Sequence, residues 1–501
     1  MGNAHSKRSR RAVTYPAQRI TIKGKESDSG VTLAESSGIA NVSTLSLTAL
    51  AEWQEKLLSD PKNRLALGAL TTHAATAVLV NPAAVRKDSH IYSHKIELEG
   101  SPVTHQHSSG RCWLFAATNV FRVGIMKKYK LAGFQFSQNY LFFWDKLEKA
   151  NFFLGQIIDT VDEPLDGRLV QWLLQAPVND GGQWDMVVNV VEKYGLVPQT
   201  VYPDSFNAMA SGRINWLITA KLREAALQLR ELAGSMEKSD DLHRYKAKVM
   251  QEIYGVLVLS LGTPPKPDDT FTWNYVDKDQ KYQSVVTTAA DFYKDNVDAI
   301  SFPGQLPSLP LQTKAHISER FSLINDPRNE YMRLLTVDRL GNVRGGRRIC
   351  YVNVDMETMK TAIIAMLKAN YPVFFGCDVG KFSDSTKGIM DTELFDYELG
   401  FNITLNMNKT QRLQAGESLM THAMVLSGVN IVGGKPTKWR VENSWGPTSG
   451  EQGYMCMSDK WMDEYVYQAV VAPEFVSAEV RDVLKQDPVH LPVWDPMGSL
   501  A

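Results

Sequence analysis

The apolar residues of this chain repeat with one period in its first half and with another towards its end, and that change limits the folds open to it. Leu47–Leu58 (LTALAEWQEKLL), Trp113–Lys130, Ser137–Asn151 and Asp185–Tyr194 carry apolar side chains three and four residues apart, the spacing of one helix face. From Tyr371 onward the runs PVFFGCDVG, AMVLSGVNIV and KWRVENSW are short and nearly continuous, as in buried strands. Helices first and strands last predict an α+β fold. Between them, residues 206–262 hold charged amphipathic helices such as KLREAALQLREL, which Pro264, Pro265 and Pro267 end. FSLINDPRN and NVRGGRRICYVNV predict strands within a mixed region, 270–350. The expected layout has five parts. Residues 1–40 form a polar, Ser-rich extension without apolar periodicity, expected to be disordered. Residues 41–205 form a helical lobe, 206–350 a mostly helical insertion suited to oligomerisation, 351–490 a β-rich lobe and 491–501 a tail.

Bulk properties exclude several function classes. The 501 residues are 44% hydrophobic, enough for a large core, and the formal net charge of -1 argues for no particular partner, so that only a local basic patch could carry such a case. Four cysteines, Cys112, Cys350, Cys377 and Cys456, are too few and too scattered for a disulfide framework, which fits a reducing compartment. No apolar run approaches membrane-spanning length. No Cys or His pair stands at metal-ligand spacing, and the glycine pairs at 345–346 and 433–434 read as turns, so no metal and no cofactor are expected. The N-terminus, MGNAHSKRSRR, leaves three readings open. Gly2 and Ser6 fit an acylation signal backed by the basic cluster Lys7, Arg8, Arg10 and Arg11, which together would support membrane contact. The lack of Asp and Glu up to Lys25 also fits a mitochondrial presequence. An extension without a role is the third. The expected location is cytoplasmic, with a mitochondrial or membrane-associated fraction through residues 1–25.

Cys112 stands between Arg111 and Trp113 at the start of a predicted helix. Unpaired N–H groups and the helix dipole at that position favour an anion, and only the thiolate is nucleophilic. A working thiol also needs a histidine, a group to orient it and an oxyanion donor. Of ten histidines, His422 has the best setting, because the strand AMVLSGVNI follows it at once. A second predicted strand ends at Asn443, whose side-chain carbonyl could accept from the imidazole, with Trp445 close enough to shield that bond. Gln106, six residues before Cys112, could join the Cys112 N–H in holding an oxyanion. Taken singly, each of these residues has an ordinary structural explanation; their number and order favour catalysis.

Gln106-x5-Cys112-Trp113, His422 ahead of a strand, and Asn443-Ser444-Trp445-Gly446 together resemble the papain family of cysteine peptidases. Asn179-Asp180-Gly181-Gly182 resembles the glycine wall of a papain-type cleft, which makes Gly181 and Gly182 candidate substrate-binding residues. The long Cys112–His422 separation and segments such as HSSGRCWLFAATNVFR and LPVWDPMG resemble the bleomycin hydrolase branch. That resemblance implies a two-lobed papain-like fold and a homohexamer acting on short or unfolded peptides. It further implies aminopeptidase activity, with bleomycin and homocysteine thiolactone as further substrates. Extended by Pro492 and Pro496, the tail could fill one side of the cleft, so that the Ala501 carboxylate meets a substrate's free ammonium. One alternative belongs to another class. Arg344–Arg348 and the lysines of 221–248 could form a nucleic-acid-binding surface on a papain-like scaffold, although solvated helix faces explain them as well.

Overall fold

The computed structural model describes residues 45–87, 90–233, 239–298 and 317–500. The expectations placed on Gly2, on the basic cluster and on Ala501 lie outside these residues. Leu47–Ser59 is a helix, capped where the Ser46 side chain accepts from the Ala49 N–H. It lies in a unit that ends at Gly68, distinct from the one that holds the rest of the described chain.

The helix that begins at Cys112 runs to Lys128 and is buried all round, from Cys112 through Met126. Apolar side chains on every face suit a central helix, not a surface one. Beside it packs Gln138–Ile158, capped by Ser137, which extends beyond Asn151 because FFLGQII continues the apolar face. Trp184–Tyr194 completes this group and stops at Gly195, where φ is +76° and an added Cβ would lie 2.1 Å from the Ala289 carbonyl oxygen. Such close approach at positive φ admits only glycine.

The insertion's two long helices, Gly212–Ala233 and Ser239–Leu261, pack on the Gln138–Ile158 helix. An antiparallel hairpin follows, Thr270–Val276 with Tyr282–Thr288. Its Trp273 is buried against Tyr129, Phe134 and Phe292.

The sheet is organised around Val373–Cys377, His422–Val432 and Lys435–Glu442, paired antiparallel in that order. Tyr454–Ser458 extends one side and Val466–Val471 the other. Phe321–Ile324, Tyr351–Asn353 and Arg333–Val337 continue beyond Val466–Val471. The first and last of these fall inside the segment 206–350. That segment is therefore helical up to Leu261 but supplies sheet strands after residue 320. The reason is burial: all of FSLI and most of RLLTV are inaccessible to water. Val489–Leu491 pairs parallel with Arg333–Val337 and launches the tail from the far edge.

Candidate active site

Cys112 is the first residue of its helix, and Arg111, at the N-cap, makes no side-chain capping bond. The first-turn N–H groups are therefore not consumed by a cap. The helix packs on the His422 strand, and the N–H of Ala423, next after His422, points to the Cys112 sulfur. His422 Nε2 lies 2.9 Å from Asn443 Oδ1. That oxygen also accepts from the Ser444 N–H at 2.7 Å, so it is the carbonyl end of the amide. An acceptor there places the imidazole proton on Nε2 and leaves the Nδ1 lone pair free. The ring of Trp445 lies 4.8 Å from that of His422, tilted by 31°. His422 and Asn443 are both buried.

Gln106 is held at both ends. Its Oε1 accepts from Ser444 Oγ at 2.7 Å, and its Nε2 donates to the Ser109 carbonyl at 2.7 Å. One amide N–H is thus engaged within the loop. The bond from the Gln106 N–H to the Ser444 carbonyl, 2.8 Å, ties this loop to the Asn443 strand end. The sequence therefore placed Gln106, Cys112, His422, Asn443 and Trp445 at one location.

The tail is bonded to residues that neighbour this site in the chain. The Ser499 carbonyl accepts from Gln183 Nε2 at 2.7 Å, and Ser499 Oγ donates to the Met420 carbonyl at 2.7 Å. Gln183 follows the glycine pair and Met420 precedes His422 by two residues, so Ser499 bridges the two walls. Farther back, Asp495 pairs with Arg328 at 2.8 Å, Met497 is buried, and Arg168 stacks over Trp494 at 3.8 Å. Alongside the tail lies a cavity of about 980 Å³, with Gly181 and Leu419 among its walls.

A model of the peptidase C1-like family matches residues 44–498. This chain belongs to that family. It is a cysteine peptidase with a papain-like α+β fold. Bleomycin hydrolase of Homo sapiens is 44% identical over 456 residues, 89% of this chain and 96% of that protein. The mitochondrial cysteine proteinase 1 of Saccharomyces cerevisiae is 40% identical over 469 residues, 92% of this chain and 93% of its own. The crystal structure of PepW from Lactobacillus rhamnosis superposes with a TM-score of 0.85 at 39% identity, covering 92% of this chain and all of that one.

In this C1-like peptidase the glycine pair divides its work. Gly181 lines the cavity, and its carbonyl accepts from Lys149 at 2.6 Å. Gly182 is buried, and an added Cβ would sit 2.5 Å from the Trp113 ring. Trp113 is in turn fixed by its Nε1 bond to the Asp180 carbonyl, 2.6 Å. Gly182 thus serves packing against Trp113, whereas Gly181 lines the cavity beside the tail.

Burial opposes either charge alone at this site. It pushes the Cys112 thiol up to about 11 and draws His422 down to about 4, against a smaller upward pull from Asn443. Taken one group at a time, both directions oppose the charge that each group would carry in a thiolate–imidazolium pair. Passing the thiol proton to Nδ1 creates both charges together and leaves the net charge unchanged. Opposite charges at ~4 Å attract by roughly 4 kcal/mol at an effective dielectric of 20, which offsets part of the desolvation. Of the three remaining cysteines, Cys377 and Cys456 are buried and Cys350 is half-buried; burial is the main cause that pushes the Cys350 and Cys377 thiols up, and Cys377 stands opposite His422 on the neighbouring strand.

Sequence reasoning did not single out Gln183, Met420 or the pair Arg122–Glu442. Glu442 adjoins Asn443 and meets Arg122 Nη2 at 2.5 Å in a buried contact. No local pattern marks such residues, because each acts through a partner far away along the chain.

Proposed function

We propose that this peptidase removes residues from the free N-termini of short or unfolded peptides. The observation that carries the reading is Ser499 bridging Gln183 and Met420, which closes one arm of the cleft beside Cys112. Substrate then extends from Cys112 in one direction only. Cys112 Sγ attacks the carbonyl carbon as His422 Nδ1 takes the thiol proton. The oxyanion is held by the Cys112 N–H and the side-chain amide of Gln106. His422 passes its proton to the leaving amine, and water, deprotonated by His422, releases the acyl group from sulfur. Asn443 orients the imidazole, Trp445 keeps water from that bond, and Gly181 lets the substrate backbone approach. The Ala501 carboxylate then pairs with the substrate ammonium. Relatives named bleomycin hydrolase support extending the substrates to bleomycin's amide, and homocysteine thiolactone suits the same acyl transfer.

Deleting Met497–Ala501 tests the reading. Cleavage of free-amine peptides should fall and cleavage of N-acetylated peptides should appear; an unchanged ratio removes the tail from the mechanism. Cys112→Ala should abolish turnover without unfolding the chain. The working unit is a homohexamer, and a stable, active monomer in sedimentation would contradict it. The name of the yeast relative supports a mitochondrial fraction, which cell fractionation tests.

A further inference from the structure

Asp180, the second residue of the NDGG turn, has its side chain 9% exposed. It makes more bonds than a structural ion pair needs. Oδ1 takes Lys146 Nζ at 2.6 Å and Asn215 Nδ2 at 2.7 Å. Oδ2 takes the Gly110 N–H at 3.0 Å and the Ser211 hydroxyl. Two donors on each oxygen fix the carboxylate against rotation. One of them, Gly110, lies two residues before Cys112. It comes so close that an added Cβ would stand 2.8 Å from the Asp180 Cβ. The Asp180 carbonyl meanwhile holds Trp113, the residue after Cys112. A single residue thus grips the chain on both sides of the nucleophile.

The remaining tethers come from the start of the insertion and from Asp204 just ahead of it. Ser211 and Asn215 reach Asp180, the Met209 carbonyl accepts from the Ser108 N–H at 2.9 Å, and Asp204 pairs with the fully buried Arg111 at 2.6 Å. Ser444 holds the same loop from the sheet side, at Gln106. The loop from Gln106 to Cys112 is therefore stretched between two walls, with Asp180 as the fixed point on the helical one.

We propose that Asp180 is a positioning residue for the peptidase reaction: its carboxylate joins the insertion to the nucleophile loop and sets where the Cys112 thiol and N–H stand. The inference rests on the reading of Cys112 as the nucleophile. Asp180 also places a negative charge near the sulfur, which opposes thiolate formation, while Lys146 and its hydrogen bonds outweigh burial and hold Asp180 well below the usual carboxylate range. Neutralising it should therefore misplace the thiol and make it more acidic.

The test is Asp180→Asn in the full chain, with kcat and KM on aminoacyl amides and the pH profile of Cys112 alkylation by iodoacetamide, read by peptide mapping. We expect kcat to fall roughly 10- to 100-fold with KM changed less than about threefold. The alkylation midpoint should move down by about half a pH unit or more. Should the unpaired Lys146 prevent folding, the double variant D180N/K146M removes both charges and should melt close to wild type while keeping the kcat loss. A folded variant with kcat within about twofold of wild type, or with an unmoved alkylation profile, overturns the proposal. Alkylation reports on the thiol whether or not turnover occurs. Peptidase activity surviving in Cys112→Ala would instead overturn the reading of the site itself.

Discussion

His422 shows how burial and chemistry pull in opposite directions. Its pKa in the folded chain, about 4, lies below the ordinary 6.5 because the ring is desolvated. As pH falls below 6.5 the unfolded chain takes up the proton first, so stability drops between pH 6.5 and 4 and the loss levels off below. One such group accounts for about 3 kcal/mol over that window. Denaturant unfolding at pH 4.5 and 7.5 should therefore show a smaller acid loss in His422→Asn than in wild type. Gly182→Ala makes a second residue-scale prediction. The new methyl meets a buried indole on one side of Cys112, and overpacking of this kind costs about 1–3 kcal/mol. It should lower both the melting temperature and kcat, whereas Gly181→Ala should raise KM with little change in melting. The residues of the site were legible because thiol chemistry restricts which side chains can stand at Cys112, His422 and Asn443. Gln183 was not: an amide that holds the tail has no required neighbour in sequence.

The Cys112 helix and the strand leading to Asn443 must keep their relative position for the site to exist. Arg122, buried in the helix, donates to Glu442 and to the Pro102 carbonyl at 2.6 Å. Burial pushes the Glu442 carboxyl up, and Arg122 opposes that shift. Arg122→Met would leave a buried carboxylate without its cation, which costs about 3–5 kcal/mol. Urea unfolding should show that loss, and Arg122→Met/Glu442→Leu should recover much of it. At this scale the helices were legible, because a 3.6-residue period is local. The order of the strands was not. Val466–Val471 lies between Phe321–Ile324 and Val373–Cys377, and nothing local in any of the three specifies its neighbours. The grouping of 321–337 with the helices arose in the same way.

The proposed assembly makes its prediction at the level of the whole molecule. Single apolar residues in water are ordinary, but the insertion leaves Trp216, Leu217 and Leu227 exposed on one helix and Tyr254 and Leu259 on the next. The proposed hexamer would cover such faces. Trp216→Glu and Leu259→Glu should then lower the sedimentation coefficient while the melting of each protomer stays within a few degrees. The insertion was legible as an addition to the catalytic parts. Its second task, bracing the loop ahead of Cys112 through Ser211 and Asn215, was not, since that contact joins segments with no shared pattern.

The tail has a consequence for inhibition. From Leu491, the last residue paired in the sheet, Ser499 is only a short reach along the chain, so the occupant proposed for the cleft is one that can never be diluted away. Tethering over such spans gives effective concentrations in the millimolar range. A compound directed at that arm of the cleft competes with this internal occupant before it gains any affinity. Inhibitors shaped for open papain clefts should therefore bind weakly here, and ones that approach from the leaving-group side should not.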